Sequence, residues 1–286
     1  MFTRRQFLQT SIAPLLVAPH LDAFKKKGFK IGACDWSLSK SADPDALRVA
    51  KQIGLSGVMV NMGSVGNDLH LRKKEIQDEF IKVSGETGVA ISSLAIGELN
   101  TVPYKSDPRT EQWVWDSIDV AARFKVPVIL LAFFSKNDLR NDEAGIKETI
   151  NRLKRVAPKA EKAGVTLGLE TYLDAAGHQR IIDSVGSPNI KVYYDFRNTA
   201  DAGHDPIVEF RKIGKDAICE LHMKENQFLL SQGSLDWKGI SNMVDELGYR
   251  GDNWMQIEWS LPDKADLISS YIQNRDFLRQ RFPTTI

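Results

Sequence analysis

Three acidic residues and one histidine stand at the ends of four apolar segments in the second half of the chain. Glu170 closes VTLGLE, Asp195 closes IKVYYD, His222 closes ICELH and Glu258 closes WMQIE. If these segments are successive parallel strands of a barrel, their last residues meet at one end of it. Three converging carboxylates repel one another, and a divalent cation with four ligands would relieve that repulsion. A ligand set dominated by oxygen favours Mn²⁺, with Mg²⁺, Co²⁺ or Zn²⁺ as alternatives.

The elements that must position these residues follow a regular alternation. From residue 29 onward, short runs rich in Val, Ile and Leu are each followed by a longer segment of helical periodicity. Four glycines just before the next strand suit helix C-caps with positive φ: Gly54, Gly88, Gly164 and Gly248. The eight predicted strands are 29–34, 57–61, 89–95, 127–134, 165–170, 190–195, 218–222 and 254–258.

Eight βα units predict an α/β protein with the (β/α)8 TIM barrel architecture. The structural alternative is a doubly wound open sheet that binds a dinucleotide. That fold needs a glycine-rich turn after the first strand, and the sequence there is ACDWSLSK. No linker or low-complexity stretch divides the region, so we expect one barrel domain over residues 26–286.

Composition narrows the classes of partner. The 286 residues carry a formal net charge of +1, with 38 basic and 37 acidic side chains. This balance argues against nucleic acid as a partner. No apolar run in the mature chain is long enough for a membrane span. The two cysteines, Cys34 and Cys219, lie in apolar runs without metal-binding or redox spacing, and we expect them to be buried thiols.

The N-terminus has the order of a targeting segment. It reads MFTRRQFLQTSIAPLLVAPHLDAF, in which Arg4 and Arg5 precede a short apolar run. The TRRQFLQ pattern is similar to a twin-arginine signal, and the alternative is a basic amphipathic helix. We therefore predict a signal peptide over residues 1–25 and a periplasmic or otherwise exported protein.

Several motifs together resemble those of a known superfamily. They are GLETY, SPNIKVYYDFRN, ELHMKEN, GSLDW and ELGYRGDNWMQIE. With them, the chain resembles the xylose isomerase-like TIM barrels, which include sugar phosphate isomerases and epimerases. The resemblance implies that Glu170, Asp195, His222 and Glu258 hold one divalent metal. It also implies that Glu170 and Glu258 flank a sugar and move protons, so we expect an isomerase or epimerase that works through a metal-stabilised enediolate.

Three positions qualify this expectation. Lys224 resembles a family lysine that contacts a substrate oxygen, although a solvated surface lysine fits the spacing equally well. Asn198 stands where ketose 3-epimerases tend to have His, and Phe228 where they tend to have Arg. A lyase or hydratase acting on keto-sugars or oxidised glycosides is therefore the alternative function. Export also favours free, oxidised or glycosidic sugars over sugar phosphates.

Other residues near the predicted rim are candidates for binding the sugar. Asn198 follows Asp195, and His178 could reach the site from beyond the fifth strand. Glu98 and Asn100 could bind sugar hydroxyls, but loop solvation is their expected role. Five aromatic residues could form an apolar wall for a sugar ring, although packing is the more usual role of isolated aromatics: Trp36, Phe133, Phe134, Tyr172 and Trp259.

Two further classes of function share this fold. A DNA repair endonuclease with several zinc ions would need more histidines than this chain has, and it would also need a basic face. A non-catalytic sugar-binding barrel would be favoured by loss of a metal ligand, and all four are present. The expected partners are a small carbohydrate and, in a possible homo-oligomer, a second copy of the chain.

Overall fold

The computed structural model describes residues 28–282, so the predicted signal peptide lies outside the described residues and stays a prediction. The strands are β1 (Lys30–Cys34), β2 (Gly57–Asn61), β3 (Ala90–Ile96), β4 (Val128–Phe133), β5 (Thr166–Thr171), β6 (Ile190–Asp195), β7 (Ile218–Lys224) and β8 (Trp254–Glu258). The helices are α1 (Asp45–Ile53), α2 (Lys74–Thr87), α3 (Arg109–Phe124), α4 (Glu143–Ala163), α5 (Ala175–Val185), α6 (Phe196–Asp201), α7 (Pro206–Ile213), α8 (Trp237–Glu246) and α9 (Leu267–Arg281).

The eight strands form a closed parallel barrel in sequence order, with β1 paired to β8. The predicted (β/α)8 fold is therefore confirmed, and each predicted strand lies within two residues of an observed one. Register brings the polar strand ends together. Asp195 on β6 pairs with His222 on β7, and Lys224 on β7 pairs with Glu258 on β8.

Two apolar layers hold the barrel together. Along β4, Ile129, Leu131 and Phe133 pack in the large layer between strands and helices. The alternate residues Val128 and Leu130 belong to a smaller cluster inside the barrel. This alternation follows from side chains pointing to opposite faces of a strand. Because both faces are covered, β4 is buried along its whole length and its sequence is continuously apolar.

Polar side chains fill part of the barrel interior below the rim. Gln256 on β8 donates from Nε2 to the hydroxyl of Ser92 on β3, 2.7 Å away, across the barrel. Gly32 makes room for this amide, because a Cβ there would lie 2.2 Å from Gln256 Oε1. Glu220, one strand period before His222, is also fully buried. The rim is thus the upper part of a filled interior, as TIM barrels require.

Helix ends follow the chemistry of their terminal residues. All four predicted glycines have positive φ, and Gly54, Gly88 and Gly164 are C-caps as expected. Gly248 lies one residue beyond the C-cap Leu247 of α8. Aspartates cap the N-termini of several helices, including Asp195 at α6. Within residues 28–282, none of the helices combines the length and the apolar character needed to cross a membrane.

Candidate active site

The carboxyl ends of β5 to β8 converge on one buried centre. Glu170, Asp195, His222 and Glu258 each offer one nitrogen or oxygen atom, and these four atoms lie within 4.8 Å of one another. Each residue is at most 5% exposed. The structure therefore brings together the four residues that were predicted from their positions at strand ends. They lie at the end of the barrel where TIM-barrel active sites are found.

His222 presents Nδ1 to the carboxylates. This nitrogen lies 2.9 Å from Glu170 Oε1, 3.7 Å from Glu258 Oε2 and 3.9 Å from Asp195 Oδ2. On the other side of the ring, Nε2 lies 3.3 Å from the thiol of Cys34 on β1. Burial disfavours a charged imidazole, but Cys34 and then the carboxylates of Glu170 and Glu258 raise the pKa of His222 above its ordinary value. The Cys34 contact fixes the ring with Nδ1 toward the centre.

Asp195 has two differently used oxygens. Oδ1 accepts hydrogen bonds from the backbone N–H groups of Arg197 and Asn198, at 2.7 and 2.9 Å, and so caps α6. Oδ2 is buried and has no hydrogen-bond partner among the described residues. Burial raises the pKa of Asp195 to about 7, although the Lys224 ammonium opposes this rise. The helix cap thus orients the carboxyl and leaves its second oxygen aimed at the centre.

Glu258 is held from two sides. The indole Nε1 of Trp36 donates to Oε1 at 2.9 Å, and the ammonium of Lys224 lies 3.0 Å from Oε2. Burial would raise the pKa of Glu258, but the charges of Lys224 and His222 hold it below its ordinary value. The carboxylate therefore stays ionised and has a fixed orientation beside the centre.

Lys224 and Asn198 connect the centre to the cavity above it. Lys224 Nζ lies 3.1 Å from Asn198 Oδ1 and 3.7 Å from Asp195 Oδ2. Asn198 in turn donates from Nδ2 to Glu170 Oε1 at 3.0 Å. Burial alone would lower the pKa of Lys224, but the neighbouring carboxylates, Glu258 first among them, raise it. Lys224 is thus a charged member of the site with only 12% of its side chain exposed, and the alternative of a solvated surface lysine was wrong.

This centre fits a divalent cation. It combines three carboxylates with one imidazole nitrogen, all buried, and the Asp195 oxygen facing them has no hydrogen bond among residues 28–282. Buried carboxylates normally carry paired oxygens, so an unpaired one calls for a ligand. Oxygen donors with a single nitrogen suit a hard or borderline divalent ion.

A cavity of about 540 Å³ opens directly above the centre. Glu170, Glu258 and Lys224 form its floor on the β5–β8 side. Among the predicted sugar-binding residues, those that line the cavity are Trp36, Phe134, Tyr172, Asn198 and Trp259. The rings of Phe134 and Tyr172 meet edge to face with centroids 4.7 Å apart.

The expected roles of His178, Glu98 and Asn100 were wrong, whereas Phe133 packs in the core, the more usual role of an isolated aromatic residue. His178 is buried on α5, where Nε2 lies 3.1 Å from the Thr171 hydroxyl, and it does not line the cavity. Burial lowers its pKa to about 4, so it is a neutral residue of the interior. Phe133 packs in the layer between strands and helices, because it alternates with the inward-facing Ala132. Glu98 and Asn100, expected to be solvated loop residues, line the cavity.

The wall on the β1–β4 side was largely missed from sequence. Its polar residues include Ser41, Asn61, Ser64 and Asn67, in addition to Glu98 and Asn100. Asn61 carried a usable signal, because it is the polar residue that closes the apolar strand GVMVN. It donates to the Ser41 hydroxyl at 3.1 Å, which ties the ends of two loops together. The other residues lie in loops whose composition gave no sign of the cavity.

Residues 47–281 match the family described as xylose isomerase-like TIM barrel. The match covers most of the chain, which therefore belongs to this family. A curated relative, the 2-epi-5-epi-valiolone 7-phosphate 2-epimerase of Actinoplanes sp., is 26% identical over 200 residues, which are 68% of this chain and 72% of the relative.

Solved structures show the same fold at low sequence identity. The D-psicose 3-epimerase of Clostridium cellulolyticum H10 superposes with a TM-score of 0.75 at 17% identity, covering 88% of this chain and 99% of that one. A xylose isomerase-like barrel from Mycobacterium smegmatis, determined in complex with magnesium, gives a TM-score of 0.71 at 17% identity over 91% and 98% of the two chains. These structures show that the fold is shared, and the curated relative is an epimerase.

Proposed function

We propose that this protein is a divalent-metal-dependent sugar isomerase or epimerase. The observation that carries the proposal is the buried centre, in which four donor atoms from four consecutive strands lie within 4.8 Å under a 540 Å³ cavity. The curated relative in Actinoplanes is an epimerase of a sugar-like phosphate, which supports the same class of reaction. The cavity is open to a substrate of sugar size, and pockets of this volume are typical of small-molecule sites.

The residues that would hold the ion are Glu170, Asp195, His222 and Glu258, and Mn²⁺ is the expected metal. When bound, such an ion supplies positive charge that polarises a sugar carbonyl and acidifies the neighbouring C–H. Cys34 keeps the imidazole turned with Nδ1 toward the centre, and the α6 N-terminus keeps Asp195 turned with Oδ2 toward it. Such supporting contacts typically change metal affinity by about 10- to 100-fold when removed.

Glu170 and Glu258 are the residues that move protons. Each lines the cavity, and each has one oxygen fixed by a donor, Asn198 for Glu170 and Trp36 for Glu258. They lie on β5 and β8, so a sugar bound between them is within reach of a carboxylate from two directions. One carboxylate removes the proton next to the carbonyl, and the other returns a proton to a different carbon or face.

Lys224 binds an oxygen of the substrate. Its ammonium lies beside Glu258 and lines the cavity, and its raised pKa keeps it charged. The same position favours the second candidate function, a lyase or hydratase, because a fixed cation there can stabilise a departing oxygen. The absence of the His and Arg that ketose 3-epimerases tend to have, replaced here by Asn198 and Phe228, is in line with this alternative.

Metal loading tests the central proposal. We expect protein loaded with Mn²⁺ and dialysed to retain about one ion per chain by elemental analysis, and to lose it to a chelator. Asp195→Asn should weaken retention strongly, since it removes the negative charge of a buried ligand whose Oδ2 has no hydrogen bond among the described residues. Asp216→Asn, at an exposed residue before β7, is the matched control and should retain the ion. Absence of Mn²⁺ from the folded wild-type protein would refute the proposal.

Proton NMR in D₂O separates the two candidate reactions. A panel of ketoses, aldoses and keto-glycosides is incubated with the Mn²⁺-loaded protein. Deuterium uptake with an unchanged molecular formula indicates isomerisation or epimerisation, whereas a dehydrated or hydrated product indicates a lyase or hydratase. We further propose that the enzyme works outside the cytoplasm, on the ground of the twin-arginine pattern at its N-terminus.

A further inference from the structure

Trp259 has an unusual backbone for a large aromatic residue. It follows Glu258 directly, its φ is +47°, and 49% of the residue is exposed at the mouth of the cavity. The left-handed region costs energy for bulky residues, and such strain is commonly found at ligand sites. The backbone N–H of Trp259 donates to the Ser37 hydroxyl at 3.2 Å, which holds the strained turn in place. The strain keeps an indole at the cavity mouth.

A second recess lies on the other side of this indole. It has a volume of about 320 Å³ and shares two residues, Trp36 and Trp259, with the cavity above the metal ligands. Its remaining lining comes from Asn226, Gln227, Leu261 and Tyr271, together with Ser37 and Ser39. The buried hydroxyl of Tyr271 has no hydrogen bond among the described residues. The two spaces therefore adjoin at Trp36 and Trp259, and we refer to both together as the cleft.

The residues that line this cleft favour a neutral substrate over one with an anionic group. None of the residues that line the second recess is ionised, since they are tryptophan, serine, amide, leucine and tyrosine side chains. Among residues lining the main cavity, Lys224 is the basic one, and its ammonium is already paired with Glu258. Glu98 adds a carboxylate to the opposite wall. Phosphate recognition needs Arg, Lys or a helix N-terminus, whereas amides, hydroxyls and aromatic faces suit neutral sugar units.

We propose that the substrate is a neutral sugar of more than one unit, whose reacting unit lies above the metal ligands and whose second unit stacks on Trp259 in the second recess. This inference rests on the proposed function, because it places the reacting unit by means of that site. It specifies an unphosphorylated glycoside or oligosaccharide as the substrate class. Trp259 is then a specificity-determining residue.

Solvent exchange on defined sugars tests the inference. The probes are D-fructose, D-fructose 6-phosphate and three neutral keto-disaccharides that differ in linkage: turanose, lactulose and isomaltulose. Deuterium uptake next to the carbonyl is followed by NMR with the Mn²⁺-loaded protein. We expect kcat/KM for at least one disaccharide to exceed that for D-fructose by about tenfold. The reason is that stacking of the second sugar unit on Trp259 buries area and adds one aromatic contact. D-Fructose 6-phosphate should exchange no faster than D-fructose.

Two tryptophan variants show whether Trp259 is the cause. Trp259→Ala should lower the ratio of disaccharide to fructose kcat/KM about tenfold. Trp115→Ala is the matched control, because Trp115 is similarly exposed, at 43%, but lies on α3 outside the cleft. It should leave the ratio unchanged. Using a ratio within each variant cancels any general loss of folded protein.

The outcomes distinguish this inference from the proposed function. If D-fructose 6-phosphate is preferred, if D-fructose matches all three disaccharides, or if Trp259→Ala leaves the ratio intact, the substrate class is wrong and the proposed function stands. If the protein binds Mn²⁺ but no member of the panel exchanges, the proposed function fails, and the inference that rests on it fails as well.

Discussion

The two halves of the barrel rim are built from different chemistry. On the β5–β8 half, three carboxylates, an imidazole and an ammonium converge, all largely buried. On the β1–β4 half, the cavity wall is formed mainly by amides, hydroxyls and glycines, with Glu98 as its carboxylate. The carboxylates that converge with an imidazole and an ammonium are thus confined to one side. The other side can hydrogen-bond sugar hydroxyls without competing for a bound metal cation.

Each half contains one buried aspartate, and the pair shows how environment separates their roles. Burial raises the pKa of both Asp195 and Asp35 to about 7. Asp195 has Lys224 and His222 beside it and directs one oxygen at the centre. Asp35 accepts from the backbone N–H groups of Ala42 and Asn61, both at 2.8 Å, and so shapes the neutral wall.

The largest expected effect comes from removing a proton-moving carboxylate. Glu258→Gln keeps the shape and the contact with Trp36 but cannot accept a proton. We expect kcat for deuterium exchange to fall by about 10²- to 10⁴-fold, the usual contribution of a general base. The measurement is NMR exchange on the best sugar of the panel, with circular dichroism to show that the fold is retained.

Glu98→Gln is the matched change on the neutral half of the rim. It also replaces a cavity-lining glutamate by its amide. Glu98 follows β3, however, whereas the residues of the buried centre lie on β5 to β8. We expect kcat to fall by less than about tenfold, because Glu98 does not supply a charge that the reaction needs. Equal losses in Glu98→Gln and Glu258→Gln would contradict the division of the rim into two halves.

Lys224→Met should change metal affinity and activity in opposite directions. Its ammonium lies 3.0 Å from Glu258 and 3.7 Å from Asp195, so it neutralises part of the charge that would attract a cation. Without it, Mn²⁺ should bind about tenfold more tightly, while kcat/KM falls by about 10- to 100-fold through loss of a charge-assisted contact with the sugar.

Isothermal titration with Mn²⁺ and the exchange assay check the two effects of Lys224→Met separately. Lys224→Arg, which keeps the positive charge, is the control and should leave Mn²⁺ affinity near that of the wild type. Weaker Mn²⁺ binding in Lys224→Met would mean that Lys224 supports the centre structurally, and our assignment of it to the substrate would be wrong.

The same division explains which parts of the site the sequence revealed. Glu170, Asp195, His222 and Glu258 each close a strand, and in a closed parallel barrel strand order alone brings such residues to one rim. The neutral wall depends mainly on loops, where Ser64, Asn67 and Glu98 have ordinary loop composition. His178 was assigned to the site wrongly for a different reason. It lies on a helix, where a shift within one turn decides whether a side chain faces the cavity or packs behind a strand.

The last expected effect concerns stability and not activity, at Asp35 on the neutral half of the rim. Its folded-state pKa of about 7 exceeds the ordinary value of 3.8, so the folded protein binds the proton more tightly than the unfolded chain does. This contribution to stability is unchanged below pH 4, declines between pH 4 and 7 by up to roughly 1.4 kcal/mol per pH unit, and is lost above pH 7.

Asp35→Asn removes this dependence while keeping an oxygen for the two backbone donors. Its free energy of unfolding relative to wild type should therefore rise from pH 5 to 7 and level off above, as measured by urea unfolding of chelator-treated protein. Asp216→Asn, an exposed change outside this loop, should follow the wild-type curve. A parallel pH dependence in Asp35→Asn and wild type would show that Asp35 is ionised at no cost, and that both halves of the rim tolerate buried charge equally.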